Sequence, residues 1–210
     1  VGVQPSNKTG KVRGLQSHGE PVDFVSKGDR AAVNLTGIEL AHIWRGSELV
    51  SPKSIQAVHR AIVQIKLIQT TKWKLKAQQR IRIHLGTSES LAKIVYIPKT
   101  ISSGESINAV LEFNKPVTTT LDDRFIIRAY SPIDTIGGGK ILDKDLEGTW
   151  KKIKVQCQQL SNQVTERFLQ FITYSENAPK SVGFWADKFS KSREYIHILV
   201  ESNQLVNKKD

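Results

Sequence analysis

The segment DRFIIRAYSPIDTIGGGKILD, residues 123–143, decides the fold class of this 210-residue chain. Its two halves, residues 125–130 and 135–142, are short apolar runs rich in Ile, Phe, Tyr and Thr. The Ser131-Pro132 dipeptide between them is typical of a turn, so the segment predicts two β-strands. Many short strands at near-regular spacing are typical of β-barrels, and a break at residues 51–54 predicts two barrels. Runs of the same kind recur at residues 12–16, 30–35, 60–69, 80–85, 91–97 and 107–113.

The hydrophobic period becomes helical near residue 159. One apolar stripe at helical spacing covers residues 160–172, and Pro179 is predicted to end that helix. A second helix is predicted over residues 182–189 and a third after Ser192, each following a serine N-cap. Three helices of this size, the last two joined by a tight turn, resemble the core of a winged-helix module. Residues 205–206 would open its first wing strand, so we expect a truncated module.

The charge distribution points to an anionic partner. Lys and Arg number 31 against 20 Asp and Glu, which gives a formal net charge of +11. Clustered cations bind a phosphate backbone favourably because condensed counterions are released, whereas the alternative is a solvated surface that lacks acids. We therefore expect a cytoplasmic protein that binds nucleic acid. No acid occurs between Glu48 and Glu89, where eight cations lie: Lys53, Arg60, Lys66, Lys72, Lys74, Lys76, Arg80 and Arg82.

Motifs for chemistry are weak in this sequence. The single cysteine, Cys157, is interpreted as a packing or surface residue, and the five histidines are too scattered for a metal site. The run GGGK at residues 137–140 resembles a phosphate-binding loop, but Asp134 stands where the first glycine of that motif belongs. We interpret it as a strand that another backbone approaches closely. The Asp122-Asp123 pair is interpreted as turn structure, and no catalytic set is found.

Two groups of motifs resemble a known protein family. The first resembles the second half of domain II in translational GTPases of the elongation factor Tu type. The second resembles domain III of one branch, the bacterial selenocysteine-specific elongation factors, and its most specific part is residues 123–143. The first group is KVRGLQSHGE (11–20), GDRAAVNLTG (28–37) and IWRG (43–46), and the second is RIHLGTSE (82–89), DRFIIRAYSP (123–132) and TIGGGKILD (135–143).

The resemblance implies a mainly β chain with two elongation-factor-type β-barrels, the first incomplete, followed by a partial α-helical winged-helix module. The implied domains are a partial domain II at 1–51, domain III at 52–145, a linker at 146–158 and a truncated winged helix at 159–210. Because the GTPase domain and the distal winged helices of the family are not found here, we expect a segment of a longer protein without enzymatic activity.

The resemblance also implies function. Family members deliver selenocysteinyl-tRNA to the ribosome at a recoded UGA codon, using GTP and Mg²⁺ in the GTPase domain. Their distal winged helices bind an mRNA hairpin. For this chain the resemblance implies RNA binding and positioning, with no cofactor of its own. Two alternatives remain open: a winged-helix regulator that binds duplex DNA through residues 192–203, and a fragment of another translational GTPase.

Candidate binding residues follow from the resemblance and from the charge pattern. The resemblance implies that Arg30, in the motif GDR, lies at the position of the family's selenocysteine pocket. A guanidinium there would hold an anionic selenolate. A strand cap, or a pair with Asp29 or Glu48, is the alternative for Arg30. For His84 and Arg128, which lie in the motifs that carry the resemblance, packing within the barrel is the alternative to RNA contact. The candidates for RNA contact are Lys72, Lys74, Lys76, Arg80, Arg82, His84 and Arg128.

Overall fold

The computed structural model describes residues 1–51, 55–175 and 178–203 and divides the chain into two compact units, Val1–Ala57 and Val58–Asp210. The interpretations placed on residues 52–54 and 205–206, including Lys53, lie outside the described residues. No helix in the described part of the chain is both long and apolar enough to cross a membrane.

The N-terminal unit is built from two small antiparallel sheets. One sheet has the strand order β2-β1-β6 and the other β4-β3-β5, and a short 3-10 helix, Leu40–His42, lies between β5 and β6 in sequence. Most of its side chains are exposed or half-buried, and Val3 is a fully buried exception. The strands are β1 (Gly2–Gln4), β2 (Lys8–Thr9), β3 (Lys11–Ser17), β4 (Glu20–Val22), β5 (Ala32–Thr36) and β6 (Glu48–Val50).

The second unit contains a closed six-stranded barrel in the order β10-β7-β12-β11-β8-β9. Side chains alternate strictly along β8, where Ile81, Ile83 and Leu85 are buried and the intervening residues face outward. The barrel interior is the main core of the chain, as the alternation of the sequence predicts. The strands are β7 (Ala57–Leu67), β8 (Arg80–Leu85), β9 (Ser88–Tyr96), β10 (Ser106–Thr118), β11 (Arg124–Ala129) and β12 (Thr135–Asp143).

The glycine run of β12 is explained by close strand packing. A Cβ atom at Gly137 would collide with the carbonyl oxygen of Lys66, and one at Gly139 with that of Gln64. Both glycines pair with β7 on one side and β11 on the other. The interpretation as a strand approached by other backbones is confirmed. Because these residues are committed to two sheet ladders, they do not form a loop that could cradle a nucleotide phosphate.

Four helices follow the barrel: α1 (Trp150–Gln159), α2 (Val164–Tyr174), α3 (Val182–Phe189) and α4 (Arg193–Ser202). Ser181 and Ser192 cap α3 and α4 by accepting hydrogen bonds from the backbone N–H groups of Phe184 and Tyr195, both at 3.2 Å. These two helices are therefore confirmed. A cluster of aromatic side chains packs α2 against α3. Its members are Phe168 and Phe171 of α2 and Trp185 and Phe189 of α3.

The interpretation of residues 146–158 as a linker is wrong, because α1 occupies most of that range. Asn108 of β10 donates hydrogen bonds to the carbonyl oxygens of Cys157, at 3.0 Å, and Leu160, at 2.7 Å. Ile153 and Cys157, one turn apart, are buried. The helix was missed because the rest of it is mostly Lys and Gln, which leaves too narrow an apolar stripe to indicate a helix.

The helix predicted from residue 159 is also displaced. Leu160 ends α1, and α2 begins at Val164 and ends at Tyr174, before Pro179. Side-chain contacts then tie the later helices to the barrel. Lys188 of α3 donates to Asp143, at 2.8 Å, and to Asp145, at 3.0 Å. The barrel and the helices thus form one packed unit rather than two modules joined by a free linker.

Candidate nucleic-acid interface

The lysines of residues 72–76 lie on the connection between β7 and β8. Backbone hydrogen bonds of 3.0 Å in both directions between Leu75 and Ile101 hold this connection against the barrel. Leu75 is fully buried and Trp73 half-buried, while Lys72, Lys74 and Lys76 are exposed. Lys74 and Lys76 are therefore exposed on either side of the buried Leu75, and their contact with RNA stays a prediction.

An arginine face lies on the outside of β8 and β11. Arg82 of β8 is directly opposite Arg128 of β11, and His84 is opposite Ile126. The register brings these side chains to the same outer surface, since residues that face each other across an antiparallel pair share a face. We use the term arginine face for Arg82, His84 and Arg128.

Neighbouring groups neutralise the arginine face only in part. The guanidinium of Arg82 donates to Glu89, at 2.9 Å, and lies 5.6 Å from the ring centre of Tyr130. The side chain of Arg128 has no ion pair with any described residue. Like charges directly opposite one another destabilise a sheet, so an external anion would relieve this pair.

Three buried nitrogens of the arginine face have no hydrogen-bond partner among the described residues: Nε of Arg82, Nε of Arg128 and Nε2 of His84. A buried polar nitrogen without a partner costs free energy, about 1 to 3 kcal/mol for each such group. The family motifs contain all three residues, but only the strand register shows that these unpartnered nitrogens lie together on adjacent strands.

Arg80, the remaining predicted RNA-contact residue, is exposed at the start of β8. It is directly opposite Lys93 of β9, and Lys93 is in turn opposite Glu112 of β10. Lys93 was missed because a lone lysine between apolar residues is typical of ordinary strand alternation. Only the pairing of β8 with β9 shows that it adds to the charge of Arg80.

Arg30 lies in the N-terminal unit, on an exposed segment just before β5 rather than within a strand. Its backbone carbonyl accepts a hydrogen bond from the Ser17 hydroxyl, at 3.0 Å. The Asp29 carboxylate accepts from the backbone N–H of Ser26, at 2.7 Å, which is a turn contact. Arg30 as a whole residue is exposed, and its role in a selenocysteine pocket stays a prediction.

The residues set aside as non-catalytic have structural roles. Cys157 is fully buried, and burial raises the pKa of its thiol to about 12, so it is not a thiolate nucleophile. Asp123 accepts hydrogen bonds from the hydroxyl of Thr119, at 3.0 Å, and the backbone N–H of Thr120, at 2.6 Å. The turn interpretation of Asp123 is confirmed. The described residues hold no group of three or more His, Cys, Asp or Glu side chains that could bind a metal ion.

The fold and the basic outer strands define an elongation-factor-type β-barrel followed by helices. A crystal structure of the bacterial selenocysteine-specific elongation factor EF-Sec superposes with a TM-score of 0.63, covering 80% of this chain and 27% of that one at 22% identity. Residues 58–147 match the family model of the β-barrel domain of selenocysteine-specific elongation factors. The barrel of this chain and the segment that follows it, residues 58–147, therefore belong to this family.

Two curated relatives carry the same name. The selenocysteine-specific elongation factor of Desulfomicrobium baculatum is 32% identical over 144 residues, which is 68% of this chain and 23% of that protein. That of Methanocaldococcus jannaschii is 23% identical over 194 residues, or 84% of this chain and 41% of that protein. The chain therefore spans less than half the length of these relatives.

Proposed function

We propose that this chain is the RNA-binding and positioning part of a selenocysteine-specific elongation factor. Its barrel binds the tRNA that carries selenocysteine, and the whole protein delivers that tRNA to the ribosome at a recoded UGA codon. GTP and Mg²⁺ act in the GTPase domain of the whole protein, and the mRNA hairpin binds to its distal winged helices. This chain supplies binding energy and orientation rather than GTP hydrolysis.

The opposed pair Arg82 and Arg128 carries the proposal. The two guanidinium groups belong to directly opposed residues on the outer surface, and only that of Arg82 has an ion pair among the described residues, so the pair gains from a phosphate group. A phosphate oxygen accepts charge-assisted hydrogen bonds from both groups and removes their mutual repulsion. The exposed Ile126 and Tyr130 beside them, 52% and 45% accessible, would pack against the sugar of an RNA strand.

The exposed lysines at residues 72, 74 and 76 extend the basic surface. Lysine ammonium groups act as point charges on the phosphate backbone and contribute affinity without sequence selectivity. Their role in the proposal is to raise affinity and the rate of association, whereas the arginine face fixes the position of the RNA.

Arg30 is proposed to hold the selenocysteine side chain. A selenol is more acidic than a thiol, so at neutral pH its selenolate pairs with a guanidinium. Arg30 is an exposed residue and is available for this pairing. Replacement of Arg30 with Gln is expected to reduce the preference for selenocysteinyl-tRNA over the same tRNA carrying serine, and an unchanged preference would contradict this role.

The test is a tRNA-binding titration by fluorescence anisotropy at several salt concentrations. The probe is in vitro transcribed selenocysteine tRNA, compared with an elongator tRNA and with duplex DNA. Arg128→Gln, and separately the double variant Lys74→Gln/Lys76→Gln, are expected to weaken tRNA binding. Removal of one cation that binds a phosphate makes the plot of log K against log salt less steep, by about 1 in slope.

Arg193→Gln serves as the matched control because Arg193 is an exposed arginine on α4 and belongs to none of the barrel strands. It is expected to leave tRNA binding unchanged. If Arg193→Gln instead abolishes binding to duplex DNA while Arg128→Gln has no effect on any probe, the winged-helix regulator is the correct function.

A further inference from the structure

A cleft of about 850 Å³ lies on the outside of the barrel, beside the arginine face. Strands β7, β8, β9 and β10 form one wall, and the segment after β12 together with α1 forms the other. Leu91 and Leu146 contribute apolar surface to it. The volume falls within the range of small-ligand sites, about 300 to 1,000 Å³.

The cleft contains four cationic side chains and one carboxylate. Arg60 uses both its Nε and a terminal nitrogen to bind the Glu112 carboxylate, so these two charges largely cancel. Lys144 lies 3.6 Å from a carboxylate oxygen of Asp145, outside the cleft lining. Arg80 and Lys93 therefore hold the uncompensated charge.

Arg80 and Lys93 face each other directly across the β8–β9 pair. Neither side chain has an ion pair or a hydrogen bond with any residue that the structure describes. Two cations at this spacing repel one another, and the cost is relieved when an anion binds between them. Two unpaired cations in this arrangement suit a single phosphate group.

The position of Arg80 joins this cleft to the arginine face. Arg80 and Arg82 both project outward from β8, and residues two apart on a strand are separated by about 7 Å. The cations therefore continue around the barrel from Arg128 through Arg82 and Arg80 to Lys93. A continuous row of cations suits a chain of phosphates better than one isolated anion.

We infer that the cleft binds a phosphodiester of an RNA strand, with the phosphate between Arg80 and Lys93 and the nucleoside against Leu91 and Leu146. The inference rests on the proposed RNA-binding function and extends it from the barrel face into the groove between β9 and α1. Glu112 limits the affinity of this site because its carboxylate repels the incoming phosphate.

The experiment substitutes Lys93 and Glu112, which are opposite each other on β9 and β10, because the two substitutions are expected to change tRNA affinity in opposite directions. Lys93→Gln is expected to weaken binding of the tRNA transcript about threefold or more and to lower the salt slope by about 1. Glu112→Gln removes the acid of the cleft and is expected to strengthen binding. Lys99→Gln, which removes an exposed cation on the loop after β9, is the matched control and is expected to change neither quantity.

A second titration with inorganic tripolyphosphate, followed by the chemical shift of the Lys93 backbone amide, distinguishes an RNA strand from a free polyphosphate. Competition between tripolyphosphate and tRNA, lost in Lys93→Gln, supports the inference. Binding of tripolyphosphate without any effect of Lys93→Gln on tRNA affinity would overturn it, because the cleft would then serve a free polyphosphate.

The two proposals fail separately. If Arg128→Gln weakens tRNA binding while Lys93→Gln and Glu112→Gln leave it unchanged, the cleft is not an RNA site and the proposed function stands. If only the cleft variants change tRNA affinity, the cleft is confirmed and the arginine face is not the contact surface. Thermal unfolding of each variant verifies that the barrel remains folded.

Discussion

The fully buried guanidinium of Arg167 on α2 binds the carboxylate of Asp122 at the turn into β11. It also donates to the carbonyl oxygen of Ser161, at 3.1 Å. The ammonium of Lys140 on β12 lies 3.3 Å from the other oxygen of Asp122. This cluster joins the helices to the strand pair that presents Arg128, so it stabilises the position of the helices on the barrel.

Asp122→Asn is expected to lower the free energy of unfolding of the second unit by about 2 kcal/mol, because it leaves the charge of Arg167 buried without its carboxylate. This figure is below the roughly 3 to 5 kcal/mol for breaking a fully buried pair, because the Asp122 side chain is 32% accessible. Asn tolerates the left-handed backbone of this position, where φ is 66°, so backbone strain does not contribute. Urea unfolding gives the value.

Asp134→Asn, at an exposed loop position, is the control for this substitution and is expected to leave stability unchanged. Arg167→Met in the Asp122→Asn background is expected to recover part of the missing stability, since it removes the buried charge itself. Equal stability of Asp122→Asn and the wild type would show that the pair does not hold α2 to the barrel.

Gly139→Ala tests the close packing of β12. The new methyl group would overlap the carbonyl oxygen of Gln64 and lie 2.6 Å from the ring of Phe125. Neither group is free to move, because both belong to the barrel, so we expect a loss of about 3 kcal/mol or more. Thermal unfolding followed by circular dichroism measures the change.

Gly183→Ala is the matched substitution on α3. There the nearest atom to the new methyl group is a terminal nitrogen of Arg193 at 3.5 Å, which is ordinary contact. Alanine also favours a helix, so the unfolding temperature is expected to stay the same or rise slightly. A similar loss in both variants would mean that the glycine run of β12 is not specially constrained.

Local alternation predicted much of the barrel from sequence alone. The strand predicted at residues 80–85 has the same bounds in the structure because apolar and basic residues alternate without interruption. Helices α3 and α4 were also predicted, since Ser181 and Ser192 mark their starts and a clear apolar stripe follows each serine. These features depend on neighbours in sequence, and sequence periodicity records such neighbours directly.

Features that depend on distant residues were not predicted. The apolar stripe of α1 is too weak to predict a helix. The helix is stabilised by Asn108, far away in sequence, which donates hydrogen bonds to carbonyl oxygens at the C-terminal end of α1. The position of Arg167 is typical of a solvent-facing residue of an amphipathic helix, and only the fold brings Asp122 to it. Lys93 gains its significance from the strand register. In each case the contact that matters joins residues that are far apart in sequence, and local hydrophobic periodicity carries no information about such contacts.

The carboxyl group of Glu105 provides a pH-dependent prediction. A hydrogen bond from the backbone N–H of Ser102, at 2.7 Å, and contacts from the Ser102 hydroxyl and the Lys99 ammonium lower the pKa of Glu105 from 4.5 to about 2. Since the folded pKa lies below the unfolded one, the stabilising contribution is present above pH 4.5. It is lost as the pH falls from 4.5 towards 2.

NMR titration of the Glu105 side-chain carboxyl is expected to give a midpoint near 2. Ser102→Ala keeps the backbone donor and removes the hydroxyl, so its midpoint is expected to lie between that value and 4.5. In Glu105→Gln the acid-induced loss of stability between pH 4.5 and 2 is expected to be smaller than in the wild type. A midpoint near 4.5 in the wild type would show that the Ser102 contacts are absent in solution.

The N-terminal unit is expected to open far more readily than the barrel. Every residue of β3 and β5 is exposed or half-buried, whereas β8 and β11 place alternate side chains in a closed interior. Phe24 and Leu40 of this unit are 78% and 83% accessible, so they contribute little hydrophobic stabilisation. Amide hydrogen exchange of β3 is therefore expected to be at least about a hundredfold faster than that of β8 at pH 7. Equal protection of the two strands would contradict this prediction, because it would require β3 to be as well packed in solution as the barrel.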